Sequence, residues 1–314
     1  MRLGGRASAA IEVLQDMEVR HRPASVALRD WGLSHRFAGA GDRAAIGNLV
    51  YDSLRRQASQ AWRMDDGTPA SIVAATLIGQ WGHSPAELAA AFEGDRHAPA
   101  PLAPERMEAW QARDLAAAPE HVQGDVPPWC VPQLEAAFGT FWLPEAAALG
   151  DRPPLDLRVN TLKSNREKVA RQLSRFGAEP TPHAPCGLRI APGARAARLP
   201  NVQAEAGYQK GWFEIQDEGS QLAALASGAK PGEQVLDLCA GAGGKTLALS
   251  AMMENRGQVH AHDSDRTRLA PIHERLKRAG VRNAQVHASD ADLSALAGRM
   301  DCVLVDAPCT GSGT

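Results

Sequence analysis

Asp237-Leu-Cys-Ala-Gly-Ala-Gly-Gly-Lys-Thr246 is the stretch on which the fold turns. An apolar run, Gln234-Val-Leu-Asp-Leu238, precedes it, and a helical pattern over 246–253 follows. A glycine-rich turn between a buried strand and a helix is where an α/β sheet holds a nucleotide or nucleoside. Three readings compete. A P-loop requires G-x-x-x-x-G-K-[ST]; Gly244-Lys245-Thr246 closes that pattern, but Cys239 stands where its first glycine belongs. A dinucleotide fingerprint requires G-x-G-x-x-G; Gly241 and Gly243 open it, but Thr246 occupies its last position. The third reading is a loop for S-adenosyl-L-methionine, in which glycines let the backbone approach the ligand and no phosphate needs a cradle.

Downstream, strands are expected at 234–238, 258–262, 283–287 and 302–306, separated by helices at 246–253, 266–279 (closed by Gly280) and 291–296. A further helix at 221–226 precedes them and closes at Gly228. Pro271 should kink or delay the helix that contains it. Strand–helix alternation implies a parallel, doubly wound sheet with its ligand at the C-terminal strand ends. One acid follows each of the last three strands: Asp263, Asp290 and Asp306. A strand-end acid often only caps a helix, but three of them beside a glycine loop suit a nucleoside. Asp263 is expected at the ribose and Asp290 at an adenine edge.

Upstream, the segment 150–200 holds ten basic residues (Arg152, Arg158, Lys163, Arg166, Lys168, Arg171, Arg175, Arg189, Arg195, Arg198) against four acids. The whole chain carries a formal charge of −2, so positive charge is local. Leu155-Asp-Leu-Arg-Val-Asn160 alternates as a strand. Ser164 or Asn165 should cap a helix through Val169, Leu173 and Phe176 that ends at Gly177. A β-α-β unit with a basic face fits a small RNA-binding subdomain, although arginines also serve simply to solubilise a face. Residues 1–145 read as helical, with an apolar stripe at Ala10, Ile11, Val13, Leu14 and Met17, and with Asp42 as an N-cap. Between 86 and 125, eight acids face three arginines around Pro99, Pro101 and Pro104, the pattern of a solvated connector.

The 314 residues are 44% hydrophobic and 22% charged, with mean hydropathy −0.29. That is an ordinary globular composition with room for about two domains. No apolar run reaches 18 residues and no signal-peptide core is present, so no membrane association is expected and the cytoplasm is the expected compartment. Five scattered cysteines without a CxxC pair argue against a disulfide framework and against a metal site.

Asp306-Ala-Pro-Cys309 after an apolar strand, together with the glycine loop, resembles the Sun family of RNA cytosine-5 methyltransferases, and within it the branch acting on bacterial 16S ribosomal RNA. Leu157-Arg-Val-Asn-Thr-Leu-Lys163 and Phe213-Glu-Ile-Gln-Asp-Glu-Gly-Ser220 are similar to family segments entering the RNA-facing subdomain and the catalytic domain. Asp42-Arg-Ala44 and Leu49-Val-Tyr51 are similar to a NusB-like helical start. The resemblance implies α + α/β architecture in three parts: a NusB-like domain (1–145), a basic RRM-like α/β subdomain (150–211) and an incomplete Rossmann-like methyltransferase domain (212–314). It implies that Cys239, Ala240, Gly241, Ala242, Gly243, Gly244 and Lys245 wrap S-adenosyl-L-methionine with Asp263, Asp290 and Asp306. Cys309, Lys245 and Asp306 would assist catalysis. RNA, 16S ribosomal RNA in particular, would be the substrate and the chain a monomer. Ala242 replaces a proline usual in the family loop, which loosens the loop without removing a side-chain contact.

Carbon 5 of cytosine is a poor nucleophile until a thiolate adds at carbon 6. The family uses a Thr-Cys cysteine for this, while the Pro-Cys cysteine assists release of the RNA. These 314 residues contain Pro308-Cys309 but no Thr-Cys pair, and four of seven usual strands are expected. A C-terminally truncated chain lacking the nucleophile is therefore expected. Cys302 reads as core packing, and Cys130 and Cys186 are assigned no role. The competing functions are a non-catalytic RNA-binding module, a DNA methyltransferase using Cys309, and a nucleotide hydrolase, the last disfavoured by Cys239.

Overall fold

The structure, a computed structural model, describes residues 1–308 and divides into two compact units: Met1–Pro153 with Gly193–Arg198, and Pro154–Pro192 with Leu199–Thr314. The first unit is helical: α1 (Leu3–Arg20), α2 (Ala24–Ser34), α3 (Ala40–Arg55), α4 (Gln57–Met64), α5 (Pro69–Gly79), α6 (Pro85–Phe92), α7 (Pro104–Ala112), α8 (Glu120–Gln123), α9 (Val131–Phe138) and α10 (Trp142–Leu149). Its core joins Ala7, Ala10, Val13 and Leu14 of α1 to Ile46, Leu49 and Val50 of α3 and to Val73, Ala75 and Leu77 of α5. Alanines on α1 let the neighbouring helices approach closely. Apolar on all sides, α5 is accordingly buried; Thr68 caps it and Pro69 opens it.

Asp42 is not an N-cap. The helix starts earlier, behind Gly39, and the Asp42 carboxylate instead accepts from Arg6 Nε (3.0 Å) and Nη2 (2.8 Å), tying α3 to α1. A second acid, the buried Asp52, accepts from Trp81 Nε1 (2.8 Å) and Arg152 Nε (2.8 Å). The segment 193–198 completes this unit. Asn48 Nδ2 donates to the carbonyls of Arg195 (3.1 Å) and Ala197 (2.9 Å), and Arg152 Nη1 to that of Gly193 (2.5 Å).

The second unit contains two four-stranded sheets. One is antiparallel, in the order β2-β3-β1-β4, with β1 (Leu155–Val159), β2 (Glu179–Pro180), β3 (Gly187–Ile190) and β4 (Phe213–Ile215). Its helix α11 (Arg166–Leu173) is capped by Asn165, whose side chain accepts from the Lys168 N–H, and Gly177 ends the following turn in the left-handed region. Val169 and Leu173 pack on Leu157, Val159, Leu188 and Phe213. The strand after α11 is only two residues long; because β2 is antiparallel to β3 and β3 to β1, β1 and β2 run parallel on either side of β3, and β1-α11-β2 is the expected β-α-β unit in split form. A short helix, α12 (Ala206–Gln209), leads into β4.

The other sheet is parallel, in the order β7-β6-β5-β8, with β5 (Gln234–Asp237), β6 (Gln258–Ala261), β7 (Ala284–Val286) and β8 (Cys302–Leu304). Helices α13 (Glu218–Ala226), α14 (Gly244–Met252), α15 (Arg266–Leu269) and α16 (Ile272–Ala279) accompany it. Pro271 does more than kink a helix: it separates α15 from α16. The segment expected as a helix near 291–296 is a single 3-10 turn, Ser294–Leu296. Cys302 is half-buried rather than buried, and Val303 and Val305 are exposed.

Two joints, one buried and one exposed, fix the antiparallel sheet to the parallel one. Asn160, just past β1, donates through Nδ2 to the carbonyls of Gly211 (2.9 Å) and Ala279 (2.8 Å). A Cβ on Gly211 would lie 2.0 Å from the Arg278 carbonyl oxygen, so only glycine admits this approach. Lys163 Nζ donates to the Lys210 and Arg278 carbonyls (3.2 and 2.6 Å), its stem lying against Gly280. The Val-Asn-Thr-Leu-Lys run is thus a clamp on the C-terminus of α16, where a cation also meets the negative end of the helix.

Candidate cofactor and base site

The site is built on the end of β5. Asp237, its last residue, is fully buried and accepts from Thr246 Oγ1 (2.7 Å) in the first turn of α14. Its other oxygen, Oδ1, has no partner among the described residues. Burial raises the Asp237 carboxyl to about 6, against the lowering effects of Thr246 and Lys245. Between strand and helix the loop turns tightly, with Gly241 (φ 50°) and Gly243 (φ 82°) in the left-handed region. A Cβ on Gly243 would also meet Ile272 Cγ1 at 2.5 Å.

Three contacts hold the loop. Ala240 N–H donates to the His262 carbonyl (2.8 Å), and Gly241 N–H to Asp263 Oδ2 (2.9 Å). Arg275 Nη1 donates to the Ala242 carbonyl (2.9 Å), while its Nη2 donates to Glu214 Oε2 (3.1 Å). Glu214, buried on β4, also binds Arg278 Nη2 (2.6 and 2.7 Å). Arg158, buried on β1, donates to Gln216 Oε1 (2.5 Å) and lies 3.5 Å from the Gly244 carbonyl; burial lowers its guanidinium to about 10. Sequence reasoning missed this arginine–glutamate brace entirely, because its members lie on β1, β4 and α16 and share no motif.

Among the other expected residues, Lys245 Nζ donates to Ser220 Oγ (2.9 Å) and to Asp306, so these two groups are brought together. Asp263 lies two residues past β6 and is buried; its two oxygens accept the Gly241 and Asp265 N–H groups. Asp290 does not end a strand: β7 stops at Val286, and Asp290 lies in the following loop. It lines an open cleft of about 670 Å³ with Arg266, His273, Val286 and His287. Cys309 lies outside the described residues. The Cys239 thiol is raised by burial and by the carboxylates of Asp263, Asp237 and Asp306, the opposite of what a nucleophile needs. Burial also raises Cys186 and Cys302. No group of three or more His, Cys, Asp or Glu residues suited to a metal is found among the described residues.

The unpartnered Asp237 oxygen beside a loop whose Gly241 and Gly243 take left-handed φ fits a polar, phosphate-free ligand lying against the loop. Lys245 is tied to two side chains and is not free to reach a polyphosphate, in keeping with the failed P-loop pattern.

Comparison with known proteins agrees with this architecture. The 16S rRNA methyltransferase RsmB/F family matches residues 224–314, and the ferredoxin-like domain of the RsmF/B-like methyltransferases matches residues 126–195. Ribosomal RNA small subunit methyltransferase B of Pectobacterium carotovorum is 36% identical over 194 residues, covering 60% of this chain and 43% of that protein. The probable ribosomal RNA small subunit methyltransferase B of a Synechocystis strain is 30% identical over 198 residues, covering 61% and 43%. The chain thus spans less than half the length of these curated relatives. Among solved structures, PH0851 superposes with a TM-score of 0.60 at 21% identity, covering 91% of this chain and 70% of that one. NSun6 from Pyrococcus horikoshii, solved with SFG, gives a TM-score of 0.51 at 22% identity, covering 58% and 71%. These two show the shared fold. With a ferredoxin-like domain, a parallel sheet and the motifs quoted above, the chain is similar to the RsmB/F methyltransferases over the matched residues.

Proposed function

We propose that this chain serves S-adenosyl-L-methionine-dependent methylation of cytosine carbon 5 in 16S ribosomal RNA, in the cytoplasm. The observation that carries the reading is the glycine loop at the end of β5. It is braced by Asp263 and Arg275 around a buried, half-partnered Asp237. The loop from Cys239 to Lys245, with Asp263, Asp290 and Asp306, would hold the cofactor. When bound, the cofactor supplies an electrophilic methyl group. Lys245 and Asp306, held together beside Ser220, would flank the base and orient its polar edge, with Cys309 assisting. The target base must be unstacked or already looped out to enter such a site. We retain 1–145, 150–211 and 212–314 as the functional division, acting as a monomer.

A second reading is a non-catalytic RNA-binding module with a vestigial methyltransferase domain. Its support is that Cys186, Cys239 and Cys302 are all shifted away from the thiolate. Calorimetry with S-adenosylhomocysteine separates the two. Saturable binding that is weakened by Asp237→Ala is expected for the first, and absence of binding overturns it. Transfer of labelled methyl groups to unmodified 16S ribosomal RNA, with the product base identified, then tests the carbon 5 assignment.

A further inference from the structure

Half of the eight arginines in 150–200 are paired with an acid or buried. Arg189 pairs with Asp156 (2.7 Å), Arg175 with Glu205 (2.5 Å), Arg152 with Asp52, and Arg158 is buried. Lysine behaves differently. The chain has only six lysines, and three of them, Lys163, Lys168 and Lys210, gather at Trp212, where the antiparallel sheet meets α16. Lys168 Nζ lies 3.8 Å from the Trp212 ring centroid and Lys210 Nζ 5.3 Å from it. Lys163 Nζ is fixed on the Lys210 carbonyl. All three lysines are exposed, and none makes an ion pair among the described residues.

Like charges held this close repel one another. Lys168 and Lys210 share one ring, so their ammoniums lie within about one Debye length at 0.1 M salt, roughly 10 Å. The electron-rich face of Trp212 offsets part of that repulsion. An anion would offset the rest, and the described residues supply no carboxylate to either ammonium. We propose that Lys168, Lys210 and Trp212 form a contact site for the RNA sugar-phosphate backbone, with Lys163 as its brace. The site rests on the reading of RNA as substrate and locates where the strand is gripped. Trp212 orients the two ammoniums and does not itself stack a base. Because Asn160 and Lys163 lock this corner to α16, and Arg275 of α16 holds the cofactor loop, the grip and the loop belong to one rigid framework.

The test is filter binding of unmodified, in vitro transcribed 16S ribosomal RNA to the 314-residue chain across a potassium chloride series. Each lost phosphate contact reduces the slope of log K against log salt by about 0.7 for single strands, and affinity at 0.1 M by about fivefold. Lys168→Gln with Lys210→Gln should therefore lower the slope by about 1.4 and affinity by about 25-fold. Lys230→Gln, an equally exposed lysine away from Trp212, should change neither. The charge-preserving pair Lys168→Arg and Lys210→Arg should retain the wild-type slope, which also guards against a folding defect in the glutamine pair. If the wild-type chain binds RNA and the glutamine pair keeps its slope, the site is wrong while the substrate reading stands. If the wild-type chain does not bind RNA at any salt, both fall.

Discussion

Arg275→Ala should loosen the cofactor loop without unfolding the unit. The side chain makes two bonds, to the Ala242 carbonyl at 2.9 Å and to Glu214 at 3.1 Å. Glu214 is 2% exposed, and an unpaired carboxylate there would be strongly destabilising. It keeps both contacts from Arg278, however, so the buried charge remains compensated. What is lost is a charge-assisted hydrogen bond to a carbonyl at a half-buried position that water can reach. That places the cost at the lower end of such bonds, about 1–1.5 kcal/mol. The loop then orders only when ligand binds, so the same energy appears in affinity as a roughly 5- to 12-fold weaker S-adenosylhomocysteine dissociation constant. Calorimetry reads the affinity, and hydrogen exchange at the amides of 239–244 reads the loop. In the arginine variant, Ala242→Pro should restore part of the affinity by stiffening the loop directly, since the Ala242 N–H donates no backbone bond. Unchanged affinity together with unchanged exchange in Arg275→Ala would refute the reasoning. It would mean that the Ala240–His262 and Gly241–Asp263 bonds hold the loop without Arg275.

Three other outcomes are expected. Gly243→Ala forces a left-handed φ of 82° and a 2.5 Å contact with Ile272; it should cost roughly 2–4 kcal/mol and weaken S-adenosylhomocysteine at least tenfold, with partial recovery on adding Ile272→Ala. Asn160→Ala strips the partner from two buried carbonyls and should cost roughly 2–4 kcal/mol, lowering Tm by roughly 5–15 °C in a thermal melt; a shift below the error of the melt would deny the joint its structural role. Asp237 has a folded pKa near 6, above its unfolded value, so the stability of its protonated form is full below about pH 4 and is lost as pH rises through 6. Asp237→Asn should thus exceed wild type in stability by up to about 3 kcal/mol at pH 7.5 and match it near pH 4, and a gap that does not change with pH sinks the assignment.

The strand–glycine loop–helix unit was legible because each of its signals is local: an apolar run, left-handed glycines, and a helix beginning within a few residues. Asn165 and Gly177 were legible as caps for the same reason. Asp42 was misassigned because capping preference is local while its actual partner, Arg6, lies 36 residues away. Asp290 drifted from its strand because β7 is only three residues long, and short strands have imprecise ends. The brace of Arg158, Glu214, Arg275 and Arg278 could not be read at all. Each is a common charged residue whose neighbours are set by the joining of two sheets. The basic count of 150–200 misled in the same way, since a sequence does not reveal which arginines have an internal acid.

The excursion of 193–198 has a consequence during synthesis. Asn48 must wait for the carbonyl of Arg195, 147 residues later in the chain. At ribosomal rates of about 5–20 residues per second, that wait is about 7–30 s. Over that interval the helices through α10 are already made, yet the polar groups of Asn48 and Arg152 still face water. The first unit to emerge from the ribosome is thus not the first that can be finished. Its last tertiary bonds form only after β1, α11 and β3 of the second unit have been translated. An N-terminal fragment cut at Pro153, at the apparent end of the helical unit, would lack those bonds permanently.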